Sequence, residues 1–390
     1  MRKLALPVGE SGFFALLLQA IYRNMANPQE RRIRTIDGWR GVAILLVLAD
    51  HALHDTRFNT QPWANLGCRG VDVFFVISGY IITLRFLVER EKTTTLSLGN
   101  FYFRRAFRIL PLVFAYLTTI CTLSLFLNLV DFHQSELWGS LFFYRNYEQA
   151  VHPLGVYTTH FWSLSIEEHF YLLWPALLLF WGNRRALWFS ATAAAACGMW
   201  RLYDCTHPDS ALGRLLPGST PALRMLRTDA RFDGLLLGCA LAILLSRPEV
   251  RGFIHRNFPK ETTLIAAILV LINLQTTHNW PTLSTYCLVC LMLAATLVVQ
   301  EGLAHQFLNS RFMVWLGTIS YSVYVWQQLF LLRPEHSASP LGILGTFPVN
   351  VICVLMVSSA SFYWLERPCI ALGKRLSTRM GNPSTASIVH

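Results

Sequence analysis

Four stretches of this chain, residues 109–130, 283–300, 312–332 and 337–365, contain no Asp, Glu, Lys or Arg. A helix that crosses a bilayer needs about 20 mostly apolar residues, so such runs restrict the chain to a polytopic membrane protein. Composition agrees, with 53% hydrophobic and only 14% charged residues, where a soluble domain carries about 25% charged. The pattern predicts an all-α fold, a polytopic membrane helix bundle with about ten transmembrane helices. The expected spans are roughly 38–54, 71–88, 107–130, 163–181, 186–203, 232–246, 262–277, 283–300, 312–332 and 340–365.

The formal net charge of +11 invites a nucleic-acid reading, but the placement of the charge argues for topology instead. With the N-terminus in the cytoplasm, 24 of the 33 Lys and Arg residues fall on the cytoplasmic side of those spans and 9 on the opposite side. This positive-inside asymmetry puts both termini in the cytoplasm and makes membrane lipids, with no nucleic acid, the expected surroundings. One segment fits badly: Arg201, Arg214, Arg224, Arg227 and Arg231 fall on the outer face. Either the flanking spans are displaced or these arginines serve a site. Residues 1–30 read as an N-terminal extension, interfacial or poorly ordered, because the apolar run GFFALLLQAIY is short and lacks a cleavage site of small residues. The membrane domain is expected over 31–376 and a cytoplasmic tail over 377–390. The nine cysteines are scattered; Cys287 and Cys290 form a CxxC inside an apolar helix, where packing is the expected role and no metal is expected.

Topology assigns each polar side chain a height. His51 lies 11 residues beyond Arg40 on one outward-running helix, about 16 Å higher at 1.5 Å per residue. The outer half is expected to collect His51, Asp72 and Glu167, with Asp233 and Gln327 near them, while the inner edge collects Arg40, Arg104, Arg105 and Arg108. An imidazole among carboxylates suits acid–base chemistry on a hydroxyl, and a cluster of guanidiniums suits phosphates. Asp50 and His51 are adjacent and do not face each other, so Glu167 or Asp72 is the expected partner that orients the imidazole. Taken alone, the same residues also fit helix-to-helix ties and membrane-edge anchors, and Gly38, Gly41 and Gly79 fit close helix packing. The segment HPLGVYTTH, residues 152–160, has the character of an outer loop that closes over an acceptor, or of a plain loop with two histidines.

Seven stretches in this order resemble the acyltransferase type 3 family of integral membrane O-acyltransferases, from about Arg34 to Leu376. DGWRGVAILLVLADH is similar to the family's first helix, with Arg40 eleven positions before His51. GVDVFFVISGY carries Asp72, Ser78 and Gly79; FYFRRAFRILP supplies an Arg-x-x-Arg as Arg105 and Arg108; FWSLSIEEHFYLLWP supplies Trp162, Ser163 and Glu167. RFDGLLLGCALA with Asp233, GTISYSVYVWQQ with Tyr321 and Gln327, and YWLERP complete the series. Asp50, His169 and Gln327 depart from it: Asp50 stands where an uncharged residue is expected, and the other two where glutamine and histidine respectively are common.

The resemblance implies transfer of an acyl group, usually acetyl from acetyl-CoA, to a hydroxyl of a surface or exported glycan such as O-antigen or exopolysaccharide, in the bacterial inner membrane. It implies a catalytic His51 supported by Glu167 and Asp72, and donor binding by Arg40, Arg105 and Arg108. Trp162, Ser163, Asp233, Tyr321 and Gln327 are the expected substrate contacts. Some relatives carry a fused esterase-like domain. Here the transfer is expected either to finish within the membrane domain or to pass to a separate periplasmic acyltransferase partner. The rival expectations are a transporter or flippase that needs no coenzyme site, and the same enzyme class acting on a lipid or small molecule.

Overall fold

The computed structural model describes residues 33–53, 66–92, 97–151, 155–207, 221–276, 282–331 and 341–381, and every regular element among them is helical. The expected N-terminal extension, together with Arg214, lies outside the described residues.

In chain order the helices are α1 (Arg34–Leu53), α2 (Leu66–Lys92), α3 (Leu98–Leu125), α4 (Gln134–Leu141), α5 (Arg145–Val151), α6 (Phe161–Phe180), α7 (Asn183–Thr206) and α8 (Pro221–Arg224). There follow α9 (Phe232–Leu245), α10 (Pro248–Asn257), α11 (Thr262–Thr276), α12 (Leu283–Val298), α13 (Gly302–Leu308), α14 (Arg311–Phe330), α15 (Val349–Ser361) and α16 (Arg367–Gly381). A π turn, Phe362–Glu366, joins the last two. A helix therefore lies at each of the ten expected places, but length and apolar composition mark only three as able to cross a membrane: Gly67–Arg90, Leu98–Leu125 and Val349–Thr378. A fourth candidate is the pair Leu283–Val298 and Gly302–Leu308, bent by 87°. Ten spans are thus an expectation, not a finding. Of the other helices some are short, like α9, and some carry buried charges, like Asp37 in α1 and Asp204 in α7. The tail expected from residue 377 begins inside α16, where Ser377 is buried.

Two apolar cores share α1, α2 and α9. Ile44, Phe75 and Leu235 belong to one, which extends through α3, α6 and α14; Ile36, Val76 and Leu241 belong to the other, which extends through α12. These three helices therefore form the middle of the bundle, and their close approach is set by glycine. A Cβ on Gly79 would collide with the Leu235 carbonyl, and one on Gly238 with the Val76 carbonyl, so α2 and α9 touch backbone to backbone. Gly41 and Gly317 do the same for α1 and α14. A backbone carbonyl cannot swing aside as a side chain does. Gly79→Val is accordingly expected to destabilise the fold by about 1–3 kcal/mol or more, read as a lower melting temperature in detergent.

Buried ion pairs account for the arginines that fitted the topology badly. Arg201 pairs with Asp233 at 2.6 Å, Arg224 and Arg227 with Asp204 at 3.0 and 3.1 Å, and Arg231 with Asp72 at 2.8 Å. Asp229 also pairs with Arg227 at 2.6 Å. Although burial pushes the Asp229 carboxyl up, hydrogen bonds from Arg227 and Trp200 win and hold it below the usual carboxylate range. These pairs pin the segment before α9 against α7 and α2.

The α4–α6 connection is tied down in the same manner. Arg145 is fully buried; it pairs with Glu148 and Glu136 and donates to Thr158 Oγ1 at 3.0 Å and the Gly155 carbonyl at 3.0 Å. Burial pushes the Glu136 carboxyl up, against the pull of Thr158, the His133 amide and Arg145. Gly155 needs its left-handed backbone (φ 92°), and a Cβ there would strike Glu136.

Candidate active site

His51 sits in the last turn of α1, half-buried. Its Nδ1 lies 2.9 Å from the Val47 carbonyl oxygen, one turn earlier on the same helix. A carbonyl only accepts, so Nδ1 carries the hydrogen and Nε2 keeps the lone pair. The imidazole thus has an orienting acceptor on its own helix, whereas the sequence directed attention to carboxylates on other helices.

Those carboxylates have other partners. Asp72 is fully buried and takes Arg69 Nη1 at 2.7 Å, Arg231 Nη2 at 2.8 Å and the Tyr286 hydroxyl at 2.9 Å. Arg231 in turn lies over the rings of Trp162 (5.3 Å) and Phe75 (5.6 Å), so Trp162 stands beside this hub. Asp233 is held by Arg201 in the adjoining pair.

Glu167 is bound by Ser78 Oγ at 3.0 Å and by the Tyr171 hydroxyl at 2.7 Å, with Arg105 Nη2 at 3.8 Å. Arg105 also pairs with Glu168 at 3.5 Å and stacks on the Tyr171 ring, 3.4 Å from its centroid. Sequence reasoning missed Tyr171, although its position four residues after Glu167 on one helix was the available signal.

Ser163 shares a 2.6 Å hydrogen bond with the Tyr324 hydroxyl, and the His160 carbonyl lies within reach of both, so one hydroxyl donates to that carbonyl and the other to its partner hydroxyl. His160 is within electrostatic range of His51. Gln327, one turn beyond Tyr324, is fully buried, with neither amide atom hydrogen-bonded. Tyr321 points elsewhere, donating to the Ile109 carbonyl at 3.0 Å. His169 is taken up by Thr228 at 2.8 Å. Asp50 packs against Gly67 at the start of α2.

Towards the other end of α1 and α2, positive charge accumulates from α1, α2 and α3. Arg85 of α2 is in electrostatic range of Arg40, Arg104 and Arg105, and Arg108 is in range of Arg40, Arg85 and Arg105. Arg40 has a long contact to Asp37 (3.9 Å) and Arg104 one to Ser377 (3.5 Å). Among the described residues, no carboxylate lies within ion-pair distance of Arg85 or Arg108; Glu366, aimed by the π turn and bound by Ser322 at 2.8 Å, stands farther off. Like charges gathered in a poorly solvated site are costly, and an anion would relieve them. The structure thus brings Arg40, Arg105 and Arg108 together and adds Arg85.

A family model described as an acyltransferase domain matches residues 33–366, most of the chain. The chain belongs to this acyltransferase family. Its curated relatives include a peptidoglycan O-acetyltransferase of Listeria monocytogenes, OatA, 26% identical over 86% of this chain and 55% of the relative. A putative peptidoglycan O-acetyltransferase of Bacillus subtilis, YrhL, is 28% identical over 90% of this chain and 56% of the relative. A putative O-acetyltransferase of Staphylococcus aureus is 26% identical over 87% of this chain and 57% of the relative. The chain thus spans about half the length of the curated relatives it matches. No solved structure matches. Family membership and the three apolar membrane-length helices together make this acyltransferase domain a membrane protein.

Proposed function

We propose that the chain is an O-acetyltransferase of a cell-surface glycan, with acetyl-CoA as donor and His51 as general base. The observation that carries this reading is the separation of two chemistries along one set of helices. A cluster of arginines gathers near one end, and an imidazole whose Nδ1–H is committed to the Val47 carbonyl, so that Nε2 is the basic nitrogen, lies near the other. The phosphates of the coenzyme dock at Arg40, Arg85, Arg104, Arg105 and Arg108, and its pantetheine arm runs between the helices towards His51. Nε2 of His51 takes the proton of the acceptor hydroxyl as the oxygen attacks the thioester carbon. Glu167 anchors the guanidinium of Arg105, while Asp72 holds α2, α9 and α12 around the reaction chamber.

The basic excess supports an arginine end facing the cytoplasm of a bacterial inner membrane, where the donor is made, and lipid would cover apolar side chains such as Leu264, Ile268 and Ile272. Relatives named for peptidoglycan make that polymer the first acceptor to assay, with O-antigen and exopolysaccharide next. A separate periplasmic acyltransferase is the partner to look for if the label stops short of the glycan.

The decisive test is ester-linked acetyl on purified surface glycans, measured by NMR in cells with and without the protein. Acetyl that depends on the protein is the expected result; identical acetyl on every surface glycan overturns the reading. For donor binding, Arg108→Gln removes one charged hydrogen-bond donor and is expected to raise the donor KM by about tenfold or more, with a smaller change in kcat. Initial rates against acetyl-CoA concentration check it.

A further inference from the structure

His160 ends the connection that leads into α6, and its side chain is 5% exposed. The ring is fixed edge-on by three aromatics: Tyr116 at 5.5 Å, Tyr324 at 5.6 Å and Phe161 at 4.8 Å between centroids. Its backbone is fixed as well, since the His160 carbonyl accepts from the hydrogen-bonded Tyr324–Ser163 hydroxyl pair. Yet neither ring nitrogen has a hydrogen-bond partner. The Val325 backbone lies close but outside hydrogen-bonding geometry, and no carboxylate is within ion-pair distance among the described residues.

A buried polar group left unpaired costs about 1–3 kcal/mol, and most such groups in native proteins are paired. An imidazole whose orientation is locked by packing while both polar ends stay unmet is arranged for a partner that arrives later. Its neighbourhood says which partner. His51 and Arg145 are the ionisable groups that act on it electrostatically, and His51 already supplies the lone pair that acts as base. Acyl transfer also needs a donor where negative charge develops on the carbonyl oxygen, and a buried imidazole N–H without a partner can supply it.

We infer that His160 donates a hydrogen bond to the reacting carbonyl oxygen of the acyl donor, an assignment that rests on the acyl-transfer reading above. The acceptor oxygen bonds to the thioester carbon as its proton passes to Nε2 of His51. The carbonyl electron pair moves onto the oxygen facing the His160 N–H. That pair returns as the C–S bond breaks, and the departing thiolate takes the proton back from His51. Gln327, on the helix that carries Tyr324, is likewise fully buried with both amide atoms lacking a hydrogen-bond partner.

The test uses membranes carrying the full chain, radiolabelled acetyl-CoA and the endogenous glycan, with label in base-labile glycan ester as readout. His160→Phe keeps the ring's bulk and removes both unmet nitrogens. It is expected to melt at or above the wild-type temperature, yet transfer about a hundredfold more slowly at unchanged donor KM. His160→Gln restores an N–H and is expected to regain about tenfold of that loss. A merely structural histidine gives the opposite split. Transfer by His160→Phe within about threefold of wild type overturns the inference, as does His160→Gln no faster than His160→Phe, or a His160→Phe protein that melts well below wild type. A wild-type protein that transfers no label overturns the acyl-transfer reading and this inference with it, so the two failures are told apart by the wild-type lane.

Discussion

His51→Ala is expected to lower acetyl transfer by about a thousandfold, within the 10²–10⁴ range typical of losing a general base, while leaving donor affinity near the wild-type value. The first half follows from the tautomer. With Nδ1 committed to the Val47 carbonyl, Nε2 is the unprotonated atom, and alanine removes the acceptor of the hydroxyl proton. The second half follows from distance: the arginines that would hold the phosphates are grouped about Arg85 and Arg108, towards the other end of the same helices. Labelled acetyl transfer and equilibrium donor binding, measured on the same membranes, check both halves. Transfer that survives in His51→Ala would sink the base assignment. A simultaneous loss of donor binding would instead show that His51 shapes the donor channel. Removing the histidine is not expected to unfold the bundle, because its side chain is half-buried in the last turn of α1.

How much of this was legible in the sequence depends on how far apart the partners lie. Helix positions and their order could be read because apolar periodicity is local. So could Arg69–Asp72 and Glu167–Tyr171, which are three and four residues apart on one helix. The Val47–His51 bond was equally local, but attention went to carboxylates on other helices. The pairing of Arg231 with Asp72, 159 positions away, was not legible, and it changes what Asp72 does. Height along a helix does not say which face of the helix a polar residue occupies. Asp72 and His51 were assigned one layer, yet Asp72 is enclosed by two arginines and a tyrosine. The same blindness made four arginines before and within the α7–α9 region look misplaced, when Asp204, Asp229, Asp233 and Asp72 neutralise them. The number of spans is open for a related reason: a helix that buries charges inside the bundle has a lower mean hydropathy than a lipid-facing one, and length and composition mark three.

Asp72→Asn separates the two roles that a buried carboxylate near a site can have. The substitution leaves the shape nearly unchanged but removes the one negative charge shared by Arg69 and Arg231, which are 4% and 3% exposed. Breaking a buried pair from one side costs about 3–5 kcal/mol, because the stranded cation stays desolvated, even where the intact pair adds little net stability. The expected result is a sharply lower melting temperature and a smaller folded fraction in the membrane. Transfer should fall only in proportion to the folded protein. The double variant Asp72→Asn with Arg231→Gln should recover part of the loss, since it removes the stranded charge along with its partner. The alternative has a distinct signature. If Asp72→Asn melts like wild type but transfers little, the carboxylate belongs to the chemistry and the ion-pair hub is secondary. Melting curves and transfer rates on the single and double variants decide between them, because a structural loss is recovered by removing the opposite charge and a catalytic one is not.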